Sequence, residues 1–600
     1  MLERSPPFPV APVLGSSRPH DSAAKHVAGT APYIDDLPTP AGCLHAYLGL
    51  SERAHAVIRS LDLAAVRAAP GVVDVLTADD IPGVNDIAPV TGKHDDPVFA
   101  TDRVLFHGQP LFAVVARTRE EARRAARLAA VSYDDLPPAL DIEAARVAGT
   151  GFVTEGLTLA SGDLAAAMAA APRRLRGQMR IGGQDHFYLE THIALAIPGE
   201  DRDVTVLSST QHPTEVQHMV AHVLGVPFNA VTVEVRRMGG AFGGKETQGN
   251  LFAAVAALAA SRLGRAVKLR PDRDDDMIAT GKRHDFIVDY EVGHDDEGRI
   301  LAVDATYAAR CGFSADLSGP VTDRALFHAD NCYHYPAVRV TSEPWRTHTV
   351  SNTAFRGFGG PQGMLGAERF VEEVAFATGQ DPLAIRKLNL YGSGGEGDAR
   401  AVTHYGQVIT DNVAPELISA LEAACGYQAR RAAIRDANRT SPVVKRGIAL
   451  TPVKFGISFT ATQYNQAGAL VHVYTDGSVH LNHGGTEMGQ GLYVKVAQVV
   501  AEAFGIGLDD VKVSAANTGK VPNTSATAAS SGSDLNGMAA LAACETIKAR
   551  LAAFAAERGG VPAEAVRFEP GCVRVGGEEV AFADLVCAAY NARISLSATG

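Results

Sequence analysis

The stretch Arg236-Arg237-Met238-Gly239-Gly240-Ala241-Phe242-Gly243-Gly244-Lys245-Glu246-Thr247 leaves a chain few ways to fold around it. It follows Val231-Thr232-Val233-Glu234-Val235, whose alternation predicts a half-buried strand, and precedes an Ala/Leu-rich run over 251–260 that predicts a helix. A strand, a glycine-rich turn and a helix start can aim backbone N–H groups at an anion, so the local reading is a phosphate-bearing ligand. Gly239, Gly244 and Lys245 also fall on the spacing of a P-loop, which needs a Ser or Thr hydroxyl at the next position to hold magnesium. The residue there is Glu246, a carboxylate that would repel nucleotide phosphates. This argues against the P-loop and makes Glu246 a candidate for chemistry on a substrate.

With 600 residues, 46% of them hydrophobic and 20% charged, the chain has material for several cores, roughly three to five domains by length. A formal charge of -12 and the lack of a basic stripe interleaved with aromatics argue against nucleic acid or an anionic membrane as partner. The Pro/Ser-rich start, residues 1–20, lacks the apolar segment of a secretory signal, and the longest apolar runs are too short to cross a bilayer. The expectation is a soluble, cytoplasmic protein. Cys43, Cys311, Cys332, Cys425, Cys544, Cys572 and Cys587 form no C-x-x-C pair, which argues against a disulfide framework and against a zinc or iron–sulfur site. Any electron relay is expected on another chain.

Along the chain, residues 111–116 read as a strand and 119–129 as a helix, with a turn over 106–110 in which His107 and Gln109 serve the turn itself. Residues 156–174 read as a linker into a second unit that opens at 182–190. Strand periodicity there puts His186, Tyr188 and Glu190 on one face, so a metal cluster is conceivable and a polar strand edge is the plainer reading. Gln211 closes a strand with an amide that can both donate and accept. The acidic run in 268–277 reads as a solvated face or as carboxylates at a helix start. Arg324 precedes an aromatic pair, and Arg356 and Phe358 sit in a second glycine-rich turn, 354–363; either arginine alone reads equally as a surface ion pair. A polar stretch near 393–401 and a helical segment over 416–438 separate a third unit. That unit is predicted to open with a strand over 447–454, then a third glycine loop, 484–491, leading into a helix over 492–504. A fourth polar turn, 523–533, precedes a helix over 535–558.

Four loops rich in small residues, amides and backbone donors exceed the needs of one phosphate and suggest a large, polar, anionic cofactor; the plainer alternative is four unrelated strand-to-helix turns. The segments GGQDHFYLETH, SSTQ, RRMGGAFGGKET, DRALFHADNCY, SNTAFRGFGGPQ, FGISFT, GGTEMGQGL and TSATAASSGSDLNG resemble, in order and from about residue 25 to the end, the molybdopterin-binding large subunit of the xanthine dehydrogenase/aldehyde oxidase family of molybdenum hydroxylases. DRALFHADNCY and FRGFGGPQ favour the xanthine dehydrogenase side of that family.

The resemblance implies an α+β chain: a flexible N-terminus over 1–24, an α/β hammerhead domain over 25–145, a first molybdopterin-binding domain over 155–395, and a second over 415–600 that is incomplete at its C-terminus. It implies molybdenum held by the dithiolene of molybdopterin, with or without an attached cytosine nucleotide, which accounts for the missing His/Cys ligand cluster. Gln211, Phe242, Arg356 and Ala529 are then expected around the metal. Gly243, Met488, Gly489, Gln490, Gly491 and Ser530 complete the cofactor contacts. Glu246, Arg324, Phe358 and Phe459 are expected to bind substrate, the two phenylalanines stacking a flat purine and Arg324 stabilising negative charge built on the ring. Retention of both Glu246 and Arg324 favours xanthine and hypoxanthine over aldehydes or other N-heterocycles as substrates. Electrons are expected to pass to 2Fe-2S clusters, FAD and NAD on a partner subunit of a hetero-oligomer. The family's general base lies in a Gly-Glu-Pro-Pro segment that these 600 residues lack, so a fragment, a split gene product or a cofactor-binding module without turnover is also expected.

Overall fold

A computed structural model describes residues 13–89, 92–394 and 397–600. The chain divides into two compact units, one made of Met1–Leu136, His186–Gly281 and Ile457–Gly600, the other of Pro137–Asp185 and Lys282–Gly456.

The first unit is built on an eight-stranded sheet in the order Ala516–Asn517, Val231–Val235, Val204–Ser208, Ala194–Pro198, Val267–Leu269, Leu44–Leu50, Pro110–Ala116, Val72–Leu76. Its strands are rich in Val, Ala and Leu. The helices Pro213–Leu224 and Gly249–Leu263 bury apolar residues in the same core, and the second helix is buried nearly all round. Parallel pairing of Val204–Ser208 with Val231–Val235 uses the first helix as its crossover. Leu44 pairs with Val267 in parallel as well. That ladder joins the hammerhead segment to the glycine-loop segment in one sheet, so the compact units cut across the 155–395 boundary expected from the sequence. A second sheet, Val511–Val513, Val479–His483, Ala469–Val473, Ser597–Thr599, packs with the helices Leu492–Phe504 and Gly532–Gly559 around its own core.

The second unit carries a five-stranded sheet, Thr158–Ser161, Ala337–Arg346, Ile300–Gly312, Phe286–His294, Arg173–Ile181, with the helices Gly360–Thr378 and Pro382–Asn389 contributing to its core. Residues 156–174 are therefore no linker: they supply the edge strand Thr158–Ser161 and the helix Leu164–Ala170, capped by the Asp163 carboxylate.

Other expectations need correction. The helix over 416–438 is two helices, Ala414–Ala424 and Tyr427–Thr440, because Gly426 takes the left-handed backbone (φ +60) between them. Residues 447–454 form no strand. Asn331 takes their hydrogen bonds, its Nδ2 donating to the Pro452 carbonyl (3.0 Å) and its Oδ1 accepting the Lys454 N–H (3.1 Å). Residues 182–190 have no strand geometry either, so the period-2 argument for His186, Tyr188 and Glu190 fails. The tail expected to be loose over 1–24 is fixed from Val13 on, whose N–H donates to the Glu502 carboxylate at 2.9 Å; residues 1–12 lie outside the described residues. Residues 395 and 396 of the polar stretch also lie outside them.

Candidate cofactor and substrate site

Gln211 ties the loops of the first unit together. Its Oε1 accepts the Gly243 N–H (2.9 Å), its Nε2 donates to the Thr527 carbonyl (3.0 Å), and its own N–H donates to the Lys245 carbonyl (2.8 Å). The Thr527 hydroxyl accepts the Thr486 N–H (2.8 Å), Glu487 takes the Met238 N–H on its carbonyl (2.9 Å), and the Ala529 carbonyl accepts the Ser458 N–H (2.8 Å) beside Phe459. Five segments far apart in sequence thus meet within one unit, carrying Gln211, Phe242, Gly243, Glu246, Phe459, Met488, Gly489, Gln490, Gly491, Ala529 and Ser530.

The backbone of this region is strained. Phe242, Ser458, Ala529 and Ser530 hold positive φ, between +56 and +76, a conformation costing L-residues of order 1–3 kcal/mol each and concentrated at functional sites. Phe242 keeps 43% of its surface exposed despite that strain, while Glu246, four residues on, is only 6% exposed.

The anion cradle read from the sequence is corrected at two of the glycine loops, 236–247 and 484–491. In the first, Gly239 N–H donates to the Glu190 carboxylate (2.8 Å), Gly243 N–H to Gln211, Gly244 N–H to the Ala241 carbonyl (2.9 Å), and Glu246 N–H to the Gly243 carbonyl (3.2 Å). The helix begins only at Gly249, inside the core. Lys245 points inward, fully buried, 3.1 Å from Glu190 and 4.7 Å from the Tyr188 ring centre; burial holds its pKa below the ordinary lysine value, with Glu190 opposing. Glu190 Oε2 thus serves both Lys245 and Gly239, while its buried Oε1 makes no hydrogen bond among the described residues. In the loop before Leu492–Phe504, Glu487 Oε1 accepts the N–H groups of Gly489 (2.9 Å) and Gly491 (3.0 Å), its Oε2 accepts that of Tyr493 (3.1 Å), and Gln490 Oε1 accepts that of Met488 (2.7 Å). A carboxylate of the chain itself occupies the helix N-terminus where a ligand anion would sit. His20 Nε2 lies 3.2 Å from the same carboxylate.

The residues present still fit a large polar cofactor. Among the described residues the Gln211 amide makes two of its four hydrogen bonds, leaving one lone pair and one N–H. The buried Thr486 hydroxyl makes no hydrogen bond among the described residues. Phe242 precedes in sequence the Gly243 N–H that Gln211 accepts, and its side chain is exposed.

In the second unit, Arg324 lies in the last turn of the helix Ser318–Phe327, only 5% exposed. Its Nη1 donates to the Gly456 carbonyl (2.6 Å), and its guanidinium carbon lies 5.9 Å from the Phe358 ring centre and 5.6 Å from that of Phe455. Two glycines allow this: a Cβ at Gly359 would lie 2.0 Å from the Val321 carbonyl, and one at Gly363 2.2 Å from that of Ala325, so the helix Gly360–Thr378 seats directly on the Arg324 helix. His328 Nδ1 donates to the Arg324 carbonyl (2.8 Å) and its Nε2 accepts the Gly456 N–H (3.0 Å). Burial pushes its pKa down to about 4, in keeping with a neutral ring in both roles. Arg356 is exposed. Its carbonyl accepts from Arg283, which lies 3.8 Å over the Phe355 ring and is bound to Gln184 Oε1 (2.7 Å).

The sequence reading did not single out Arg283, Lys245, Glu190 or Glu487 as supports of these loops. Glu487 stands inside the glycine loop itself and could have been found as a carboxylate three to five residues before a helix start. The acidic run over 268–277 does open the helix Arg273–Ala279, yet Asp276 is buried, accepting from the Tyr188 hydroxyl (2.8 Å) and the His192 N–H (2.9 Å). Gln109 serves its turn as expected, accepting the Leu105 N–H at 2.7 Å. Among the described residues no helix is long and apolar enough to cross a membrane.

Residues 28–137 match the family model described as aldehyde oxidase and xanthine dehydrogenase, a/b hammerhead domain, and residues 149–390 and 420–600 each match molybdopterin cofactor-binding domains. The chain is 44% identical over 590 residues to xanthine dehydrogenase of Oryza sativa subsp. japonica, covering 98% of this chain and 41% of that protein. It is 43% identical to xanthine dehydrogenase/oxidase of Felis catus, covering 98% and 42%. Among solved structures, quinoline 2-oxidoreductase from Pseudomonas putida 86 superposes with a TM-score of 0.85 at 24% identity, covering 99% of this chain and 79% of that one. Aldehyde oxidoreductase from Desulfovibrio gigas gives 0.82 at 24% identity, covering 98% and 63%. The latter two establish the fold alone. A hammerhead domain followed by two molybdopterin-binding domains defines the class. The chain belongs to the molybdenum hydroxylase family, in its xanthine dehydrogenase type. It spans about 41–42% of the length of these two curated relatives.

Proposed function

We propose that the chain is the molybdenum-cofactor-binding catalytic part of a purine hydroxylase that converts hypoxanthine to xanthine and xanthine to urate. Each turnover consumes one water and releases two electrons and two protons. The bound molybdenum cofactor supplies oxygen transfer and takes up the two electrons, which pass to 2Fe-2S, FAD and NAD carried outside these residues. Met488, Gly489, Gln490, Gly491, Ala529 and Ser530 hold the cofactor. Gln211 offers its remaining N–H and lone pair to it, and Phe242 and Gly243 close its near side, with Arg356 on the lining. Phe358 and Phe459 orient a flat purine through ring contacts, Glu246 hydrogen-bonds its ring nitrogens or oxygen, and Arg324 stabilises the negative charge that builds on the ring.

The observation that carries this reading is that the chain holds two buried charged groups, Glu246 in the first unit and Arg324 in the second, and is 44% identical to a xanthine dehydrogenase. A carboxylate and a guanidinium match the ring N–H groups and carbonyl oxygens of a purine, whereas benzaldehyde has no ring heteroatom for either to bind. The test is an assay of the assembled enzyme on hypoxanthine, xanthine and benzaldehyde. The purines are expected to turn over at least about a hundredfold more efficiently, as a site built to hydrogen-bond its substrate discriminates. Preference for benzaldehyde would overturn the substrate, and turnover of none of the three would leave a cofactor-binding module.

A further inference from the structure

Away from the loops described above, Asp86, His94 and His222 each offer one ligand atom, all three within 4.8 Å of one another. We propose that these three residues form a divalent-metal site of zinc-type chemistry, clipping Asp86 and His94 of the hammerhead segment to the last turn of the helix Pro213–Leu224.

The loop is already seated on that helix end. Gly83 N–H donates to the Val223 carbonyl (2.9 Å) and Val84 N–H to that of His222 (3.1 Å), and a Cβ at Gly83 would lie 2.0 Å from the His222 carbonyl oxygen. Asp86 and His222, 136 residues apart, are thus held together by backbone contacts that need no metal. The Asp86 carboxylate is buried and oriented: its Oδ1 accepts the N–H groups of Asp96 (3.3 Å) and Ala88 (3.4 Å), leaving Oδ2 turned to His94 Nδ1 at 3.1 Å. Metal–ligand bonds of about 2.0–2.2 Å place neighbouring ligand atoms of a tetrahedron roughly 3.3–3.6 Å apart, so this pair lies within a few tenths of an ångström of the spacing of two ligands on one ion. Backbone donors on the far oxygen are the usual support of a ligating carboxylate. His94 reaches back from the exposed side of the loop with φ +48. His222 stands in the last helical turn, where the negative end of the helix dipole favours a cation.

Two imidazoles and one carboxylate suit zinc and its first-row neighbours, whereas calcium and magnesium sites are built from oxygen. The exposed side leaves a coordination position for water. A plain Asp86–His94 ion pair would account for the 3.1 Å contact and would give His222 no part. The other three-ligand group among the described residues, His20, Asp21 and Glu487, differs because the Glu487 carboxylate is committed to three N–H groups.

The experiment is calorimetric titration of the chelator-stripped protein with zinc chloride, with His94→Ala and His222→Gln prepared alongside. His94 is exposed, so its variant keeps the fold, which a melting curve checks. One saturable zinc per chain is expected, weakened at least about tenfold by each substitution, with molybdenum content unchanged. Absence of saturable binding, or binding that either substitution leaves intact, would overturn the three-ligand site.

Discussion

Lys245 carries a charge into a place without solvent, and Glu190 opposes it at 3.1 Å. Removing one member of such a pair strands the other, so Glu190→Ala is expected to destabilise the protein by about 3–5 kcal/mol in denaturant unfolding. The double variant Glu190→Gln, Lys245→Met keeps an acceptor for the Gly239 N–H and should recover most of that loss; equal losses would show the charge to be irrelevant. Neither partner was legible as a pair, because 55 residues separate them and the Lys245 motif points to phosphate. Protonation gives a second residue-scale outcome. Burial lowers the pKa of His192 and His284 to about 3, and of His328 and His483 to about 4. Their unfolded values lie near 6.5, so between about pH 4 and 6.5 the unfolded chain binds more protons and stability falls as pH falls. Each histidine steepens that fall by up to about 1.4 kcal/mol per pH unit. Melting temperatures recorded from pH 8 to pH 4.5 should drop increasingly below pH 6.5; a flat profile would contradict the burial of these rings.

At the scale of elements, the strand Val231–Val235 and the helix Leu492–Phe504 were legible to the residue, because period-2 alternation and a glycine stop do not depend on distant contacts. The failures have the opposite origin. Residues 447–454 alternate like a strand, but the Asn331 side chain bonds their backbone before any neighbouring strand can. Helical composition carries through 416–438, yet the backbone reversal at Gly426 outweighs it. In the glycine loop before Leu492, the backbone N–H groups that composition leaves open to an anion are taken by Glu487 of the chain itself. Glu487→Ala should therefore leave three backbone donors without their acceptor and unmoor the loop. We expect molybdenum per chain to fall severalfold while the helical circular dichroism signal is retained. Full molybdenum content in that variant would mean that the loop does not hold the cofactor.

For the whole molecule, the order of domains was legible through motif likeness, whereas the division into compact units was not. Parallel pairing of Leu44 with Val267 bridges more than two hundred residues and leaves no local trace in composition. The same reach explains the site of the first unit: Gln211 accepts the Gly243 N–H and bonds Thr527 across 316 positions, so two turns that could pass for unrelated connections are joined by one side chain. The central claim is that this frame holds a molybdenum cofactor and that Glu246 and Arg324 recognise a purine. The most direct measurement is kcat/KM for xanthine and for benzaldehyde in Glu246→Ala and Arg324→Met, with molybdenum content determined on the same samples. The account predicts a loss of about 10²–10³ on xanthine, little change on benzaldehyde and full molybdenum occupancy. Equal losses on both substrates, or loss of molybdenum, would contradict it.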